Sequence, residues 1–300
     1  MRIGLYILLS LIISVNVFGQ SDPIISHNRQ VPSVFNPAMS NPEGKLNVSA
    51  LTRRQWVGMS NAPVNYLFNG QYKVNNKLGV GLLVINDKIG FENTIIAGLS
   101  ASYAFRLSDA TKLSFGLRGG VMNKSLDGTQ LIYEEHYDAN GLYHLESEFV
   151  PDLSPGMNLK AGNFSLGAAV SHLLQDVGNA TIFKPSRHIY AYTSYVIKSG
   201  EFDFIPTVFF KKNAFVQQYE MSVDVAWDES LFGSITYRSK GIYSFRFGLM
   251  LTEKIFAGYA YDMDTQNIRT ESGGSHEILI QYKIPEIIPK PVILKSTRFF

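Results

Sequence analysis

The chain has 300 residues, a net charge of +2, 13% aromatic and 17% charged residues, and no cysteine. That charge balance offers no electrostatic basis for binding nucleic acid or an acidic partner. Without cysteine there is no disulfide, thiol nucleophile, thiolate metal site or lipidated cysteine.

The first segment, MRIGLYILLSLIISVNVFG, carries one positive charge (Arg2), an apolar stretch from Ile7 to Ile13, and small or apolar residues before Gln20. It reads as a secretory signal peptide over residues 1–19, too short and wrongly flanked for a spanning helix. Residues 20–44 are rich in Pro and Asn and read as a periplasmic N-terminal segment, extended or packed into a lumen mouth. The prolines and asparagines from Asn36 to Pro42 indicate turns, not a phosphate cradle. No later apolar run approaches the ~18–20 residues that a spanning helix needs.

From residue 45 onward the pattern has a period of two. Val64, Tyr66, Phe68, Gly70, Tyr72 and Val74 interleave with Asn65, Leu67, Asn69, Gln71 and Lys73. The same alternation runs through 95–106 and 243–251, which is strand periodicity. These strands are long: soluble strands usually run ~5–6 residues, and tilted membrane strands need ~9–11. The fold expected is all-β, a transmembrane antiparallel barrel over residues 45–284 with about fourteen strands. The predicted spans are 45–56, 63–74, 77–86, 94–106, 111–123, 156–162, 164–172, 187–198, 202–211, 215–227, 230–238, 242–251, 254–263 and 275–284.

Short links, such as Asn75-Asn76, Asn163 and Asp228-Glu229, alternate with long ones at 87–93, 124–155, 173–186 and 264–274. Short periplasmic turns alternating with longer outer loops is the barrel arrangement. Lipid cannot hydrogen-bond an exposed strand edge, so such a sheet must close on itself. The inward-facing Ser, Gly, Asn, Arg and Lys suit a wet lumen. Tyr66, Tyr72, Tyr103, Tyr195, Trp227 and Tyr282 are placed as interfacial girdle residues. The competing reading is a large periplasmic β-sandwich. Residues 285–300 form a C-terminal periplasmic tail.

Several stretches carry candidate chemistry. Arg53 and Gln55 share one face of the first strand, while Arg54 and Trp56 share the other. An arginine facing mid-depth lipid costs about 2–4 kcal/mol, falling towards zero near the interface. The segment therefore reads as an interfacial Trp with an Arg–carboxylate pair in the lumen, or as an anchor for an N-terminal segment or partner. Gly116, Gly119 and Gly120 indicate a bulge, a bend or the close approach of something in the lumen. The acidic run from Glu134 to Glu148 lacks EF-hand or HExxH spacing and reads as a partner-contact or lid loop. Ser275 and His276 are adjacent on a strand and point to opposite faces, so they do not form a nucleophile–base pair. His276 is placed on the lipid side near the outer rim, and Glu277 looks inward.

The chain also resembles a known family in ordered motifs along most of its length. These are Gln20-Ser21-Asp22-Pro23, Phe35-Asn36-Pro37-Ala38, Arg53 to Gly58 with Ala62-Pro63, the stretch GVGLLVINDKIG from Gly79 to Gly90, Ser275 to Ile278, and Arg298-Phe299-Phe300. Together they are similar to the PorP/SprF family of outer-membrane proteins of the Bacteroidetes type IX secretion system. Met59-Ser60-Asn61 departs from that pattern, where an acidic residue and a glycine are expected.

The resemblance implies a barrel in the outer membrane lipid bilayer that helps export, anchor or display a secreted partner, such as an adhesin of gliding bacteria. It also implies contact with periplasmic components of the secretion system. On this reading the protein is no enzyme, needs no cofactor or metal, and binds no nucleic acid. The candidate partner or closure contacts are Asn36, Pro37, Arg53, Gln55, Trp56, Asp87, Gly90, His276 and Glu277. A small-solute porin is the main alternative, and an outer-membrane hydrolase the third.

Overall fold

The computed structural model describes residues 22–131, 143–174, 185–265 and 271–286. The predicted signal peptide, and the tail beyond Glu286, lie outside the described residues. One antiparallel sheet of fourteen strands closes into a barrel. The strands are β1 (Leu46–Arg54), β2 (Val64–Lys73), β3 (Leu78–Ile89), β4 (Glu92–Arg106), β5 (Thr111–Asp127), β6 (Leu145–Ala161), β7 (Phe164–Ser171) and β8 (His188–Tyr195, resuming after Val196 as Ile197–Ser199). They continue as β9 (Phe202–Lys212), β10 (Gln217–Trp227), β11 (Leu231–Arg238), β12 (Ile242–Met250), β13 (Ile255–Asp264) and β14 (Ser275–Ile284).

Each strand pairs with its neighbour in sequence, and β14 pairs with β1 to close the ring, from Leu46 opposite Ile284 to Arg54 opposite His276. An even number of antiparallel strands is what lets the last strand run against the first and leave no edge. Short turns and long links segregate to opposite ends, so by the barrel rule the long-link end is the outer one.

The alternation resolves as expected. Along β14, Ser275, Glu277, Leu279 and Gln281 are buried, while Ile278, Ile280 and Tyr282 are exposed on the lipid side. The six expected girdle aromatics all face outward and are exposed.

Two predicted loops are shorter than expected. The 87–93 link is a tight hairpin, since β3 runs to Ile89 and β4 starts at Glu92, with Gly90 supplying the positive φ of 60° that the turn requires. Asp87 is therefore an inward strand residue. The 124–155 link is largely strand too. β5 and β6 pair in register from Thr111 opposite Ala161 to Asp127 opposite Leu145, level with the β3–β4 turn, where the Asp127 N–H donates to Phe91 O at 3.1 Å. The polar composition of both stretches hid strand structure that has no need of a lipid-facing apolar row.

The N-terminal segment departs further from expectation. Residues 22–44 are neither extended nor confined to the lumen mouth; they run through the barrel interior, from Asp22 among the ends of β7 and β8 to Gly44, two residues before β1. Ile25, Val31, Val34 and Phe35 from this segment are buried in one cluster with Leu51, Leu67, Leu83, Ile85, Ile96, Met122, Phe209, Phe256 and Leu279 from the walls. Phe35 packs edge-on to Tyr190 and Phe209, with ring centroids 5.3 and 5.2 Å apart. The barrel's hydrophobic core is thus a plug against a wall, each large plug side chain contributing about 1.5–3 kcal/mol by burial.

Candidate functional site: the plugged lumen and its outer vestibule

A segment without regular pairing must find partners for its buried backbone groups, and the wall strands provide them. Lys211 donates to Asp22 O (2.5 Å), Gln281 to Gln30 O (2.8 Å), Arg118 to Val34 O (2.8 Å) and Gln71 to Met39 O (2.6 Å). The polar inward residues that suggested a wet lumen are instead the hydrogen-bonding lining of an occupied one.

The strongest attachment is at Ser26-His27. The Ser26 and His27 N–H groups donate to the two oxygens of Glu277 at 2.9 and 2.8 Å, and His27 Nδ1 lies 2.7 Å from Glu277 Oε1. Arg53 spans Glu277 (3.4 Å) and Asp262 (2.7 Å) and also donates to Ser26 Oγ (3.0 Å). Arg238 continues the chain, binding Asp262 and Glu220 at 2.9 Å each. Arg53, Arg238 and Glu277 are essentially fully buried. A charge this deep is tolerable only when paired and hydrogen-bonded. The cluster joins β1, β10, β11, β13 and β14 to the plug directly across the closing seam.

Lower down, Asn36 begins a short turn over Pro37–Met39. Its side chain accepts from the Ala38 N–H (3.0 Å) and donates to Met157 O (2.8 Å). The turn rests on Gly116 of β5 and Gly156 of β6, which face each other across the sheet. A Cβ on Gly116 would fall within 3.0 Å of the Pro37 and Ala38 backbone, and one on Gly156 within 3.0 Å of the Asn36 amide oxygen. Close approach in the lumen is therefore what Gly116 serves. Gly119 has nothing within 4 Å of a built Cβ.

At the outer end Asp22 meets two histidines. His172 lies between Asp22 Oδ1 and Asp152 Oδ1, 2.9 Å from each, so both ring nitrogens act as donors. Burial disfavours the His172 cation, but Asp22 and Asp152 hold its pKa up to about 10. Burial likewise opposes the Asp22 charge, yet the His172 cation, with Lys211, keeps its carboxyl well below the usual carboxylate range. Tyr190 also donates to Asp22.

The ligand atoms of Asp22, His172 and His188 lie within 4.8 Å of one another, the composition of a metal-ligand set. Their hydrogen bonds commit them otherwise. His188 Nδ1 faces Ser186 O at 3.0 Å, and its Nε2 accepts from the Asp22 N–H and from Asn213 at 3.2 Å. Asn213 is fixed in that orientation because its oxygen accepts the Phe215 and Val216 N–H groups. A cation here would displace the proton bridged by His172, so the trio reads as a latch on the plug.

Above the plug lies an open cavity of about 390 Å³ whose lining includes Arg53, Gln55, Trp56, Asn65, Asp87 and Lys240. Trp56, two residues beyond β1, adopts the left-handed region (φ 49°), and its backbone N–H donates to Ser275 Oγ at 3.3 Å. The tryptophan lines this vestibule, half-buried, instead of sitting in the membrane interface.

The candidate residues thus divide into groups. Arg53 and Glu277 anchor the plug at the seam, Asn36 and Pro37 belong to the plug itself, and Gln55, Trp56 and Asp87 line the vestibule with Arg53. Gly90 makes the β3–β4 turn. His276 faces outward, its ring 2.6 Å from the Tyr259 hydroxyl and on the opposite side of the strand from Ser275. Sequence reasoning missed Ser26, His27, Asp22, His172, His188, Glu220, Arg238 and Asp262. For Glu220, Arg238 and Asp262 the available signal is charge at inward strand positions, which a water-filled lumen explains equally well.

A family model for the type IX secretion system membrane protein PorP/SprF matches residues 17–282. Comparison with curated proteins finds no match. Among solved structures, the CymD monoaromatic hydrocarbon channel is similar with a TM-score of 0.54 at 11% identity, covering 89% of this chain and 94% of that one. The toluene transporter TbuX of Ralstonia pickettii has a TM-score of 0.52 at 10% identity, covering 85% and 94%. At such identities the likeness is one of fold, that of outer-membrane barrels.

Proposed function

The chain belongs to the PorP/SprF family of type IX secretion system membrane proteins, and we propose that it acts there as a non-catalytic platform that helps secrete, anchor or display a partner surface protein. The observation that carries this reading is the occupied lumen. A barrel whose interior is filled by its own residues 22–44, tied by buried ion pairs, is built to present surfaces at its two ends. The outer vestibule and the extended β5–β6 hairpin offer contacts to a secreted partner. The periplasmic turns offer contacts to the secretion machinery.

The test is co-purification from detergent extracts after crosslinking. Recovery of a large secreted protein or of periplasmic secretion components is expected. Recovery of the barrel alone, with steady conductance in planar bilayers, overturns the reading and favours a porin. The porin alternative draws on the likeness to channel folds, which carries no solute with it, and the filled lumen weighs against it.

A further inference from the structure

Six carboxylates are buried in the described lumen: Asp87, Asp152, Glu220, Asp224, Asp262 and Glu277. Five have a cationic side chain or imidazole as partner: Asp152 with His172, Glu220 with Arg238, Asp224 with Arg246, Asp262 with Arg53 and Arg238, and Glu277 with Arg53 and His27. Asp87 differs. It is 9% exposed, lines the outer vestibule, and among the described residues its hydrogen-bond partner is the Asn65 side-chain amide.

A buried carboxylate is stable when a cation and hydrogen bonds replace its lost water. The fold meets this requirement at five positions, Asp262 of the same cavity among them, and leaves it to an amide at Asp87. Trp56 lines the same cavity, held in a backbone conformation that a non-glycine residue rarely adopts. Such strained positions persist where the surroundings enforce them and cluster at binding sites. A carboxylate and an indole in one cavity are the two groups that recognise an organic cation, by charge-assisted hydrogen bonding and by the face of the ring. The arginines of the cavity are already held: Arg53 by Asp262 and Glu277, and Arg238 by Asp262 and Glu220. Lys240 sits exposed on the β11–β12 turn.

We propose that the outer vestibule is a binding site for a cationic side chain, lysine or arginine, presented by a secreted partner, with Asp87 as its counter-ion and Trp56 as its wall. This rests on the proposed platform role and specifies the chemistry of its outer contact. A cavity of about 390 Å³ accommodates one such side chain with adjoining backbone.

The chain's two tryptophans make the test direct. Trp227 lies at the opposite end, donating to Glu201, so a W227F background leaves Trp56 as sole reporter. Capped Gly-Arg-Gly and Gly-Lys-Gly amides are titrated into the detergent-solubilised barrel, with Gly-Glu-Gly and magnesium chloride as controls. Saturable change in Trp56 emission is expected with the cationic peptides alone. In Asp87→Asn, which keeps an acceptor for Asn65, the half-effect concentration should rise about tenfold or more, the scale of one charge-assisted hydrogen bond. Three results overturn the proposal: no saturable change, an equal response to glutamate peptide or magnesium, or full binding by D87N. A neutral, purely structural Asp87 gives the last of these. Because the titration needs no partner protein, its failure leaves the co-purification result, and with it the platform role, standing separately.

Discussion

The glycine pair beneath the plug turn is the most exacting feature of the lumen. Replacing Gly116 with alanine puts a methyl group within 3.0 Å of the Pro37 and Ala38 backbone. Backbone cannot swing aside as a side-chain tip can, so the turn must lift. Overpacking of this kind costs about 1–3 kcal/mol. Gly156→Ala presses the same turn through the Asn36 amide. One displacement relieves both, so G116A/G156A should cost more than either change but less than their sum.

All of that cost falls on the plugged state. Each ~1.4 kcal/mol raises the population of displaced plug about tenfold. Because the chain has no cysteine, a single Ser33→Cys reports the plug, Ser33 being buried at 4% exposure. Maleimide labelling of S33C should accelerate about tenfold or more in the double variant, with opening events in planar bilayers. Gly119→Ala, whose new methyl meets open space, should leave both unchanged. Protection and conductance in G116A/G156A equal to the parent would refute the idea that this pair seats the plug.

Three further outcomes follow from the charged contacts. Arg53→Met leaves Glu277 with the Ser26-His27 donors and Asp262 with Arg238, each short of one buried cation, and should cost up to about 3–5 kcal/mol, read as a lower denaturation midpoint; Arg54→Met, at an exposed outward position, should stay within about 0.5 kcal/mol. Glu277→Gln should release the Ser26-His27 anchor and speed S33C labelling, whereas its neighbour's change His276→Phe should leave labelling at the parent rate; equal effects would sink the assignment of opposite faces. The outer latch should depend on pH. His172 has a pKa raised from its ordinary value of ~6.5 to about 10, so its contribution is complete below the ordinary value and lost as pH rises through about 10. Asp22 is depressed, so its share is present above the usual carboxylate range and lost in acid. A cysteine at Pro23, labelled relative to free cysteine, should react faster at both extremes, and His172→Phe should abolish the alkaline rise.

Much of the barrel could be read from residue order alone. All fourteen strands and the inward or outward sense of β2, β4, β12 and β14 follow from period-two alternation, because one face meets lipid and the other cannot. Glu277 is inward for the same reason, whereas alternation only sets Arg53 and Arg54 on opposite faces; the pairing of Arg53 with Glu277 follows once the last strand closes on the first. Where the outer row need not be apolar, the signal failed. Asp87 to Ile89, the upper part of β5 and the start of β6 looked like loops because polar residues near or beyond the rim carry no lipid imprint.

Alternation, then, is a local record of a two-sided environment, and it determined the fold, the closure and the facing of the wall residues. It could not determine what fills the barrel. Residues 22–44 have no period, since their backbone is satisfied by side chains instead of a ladder. Their partners stand far along the chain: Glu277 is 251 residues from Ser26, and Asp262 is 236. Whether an inward arginine meets water, a carboxylate or a plug is settled only when the sheet has closed and brought those distant strands to one level. Tertiary structure alone turned a polar lumen into an occupied one, and left Asp87, facing the outer vestibule, with an amide where its neighbours have a cation.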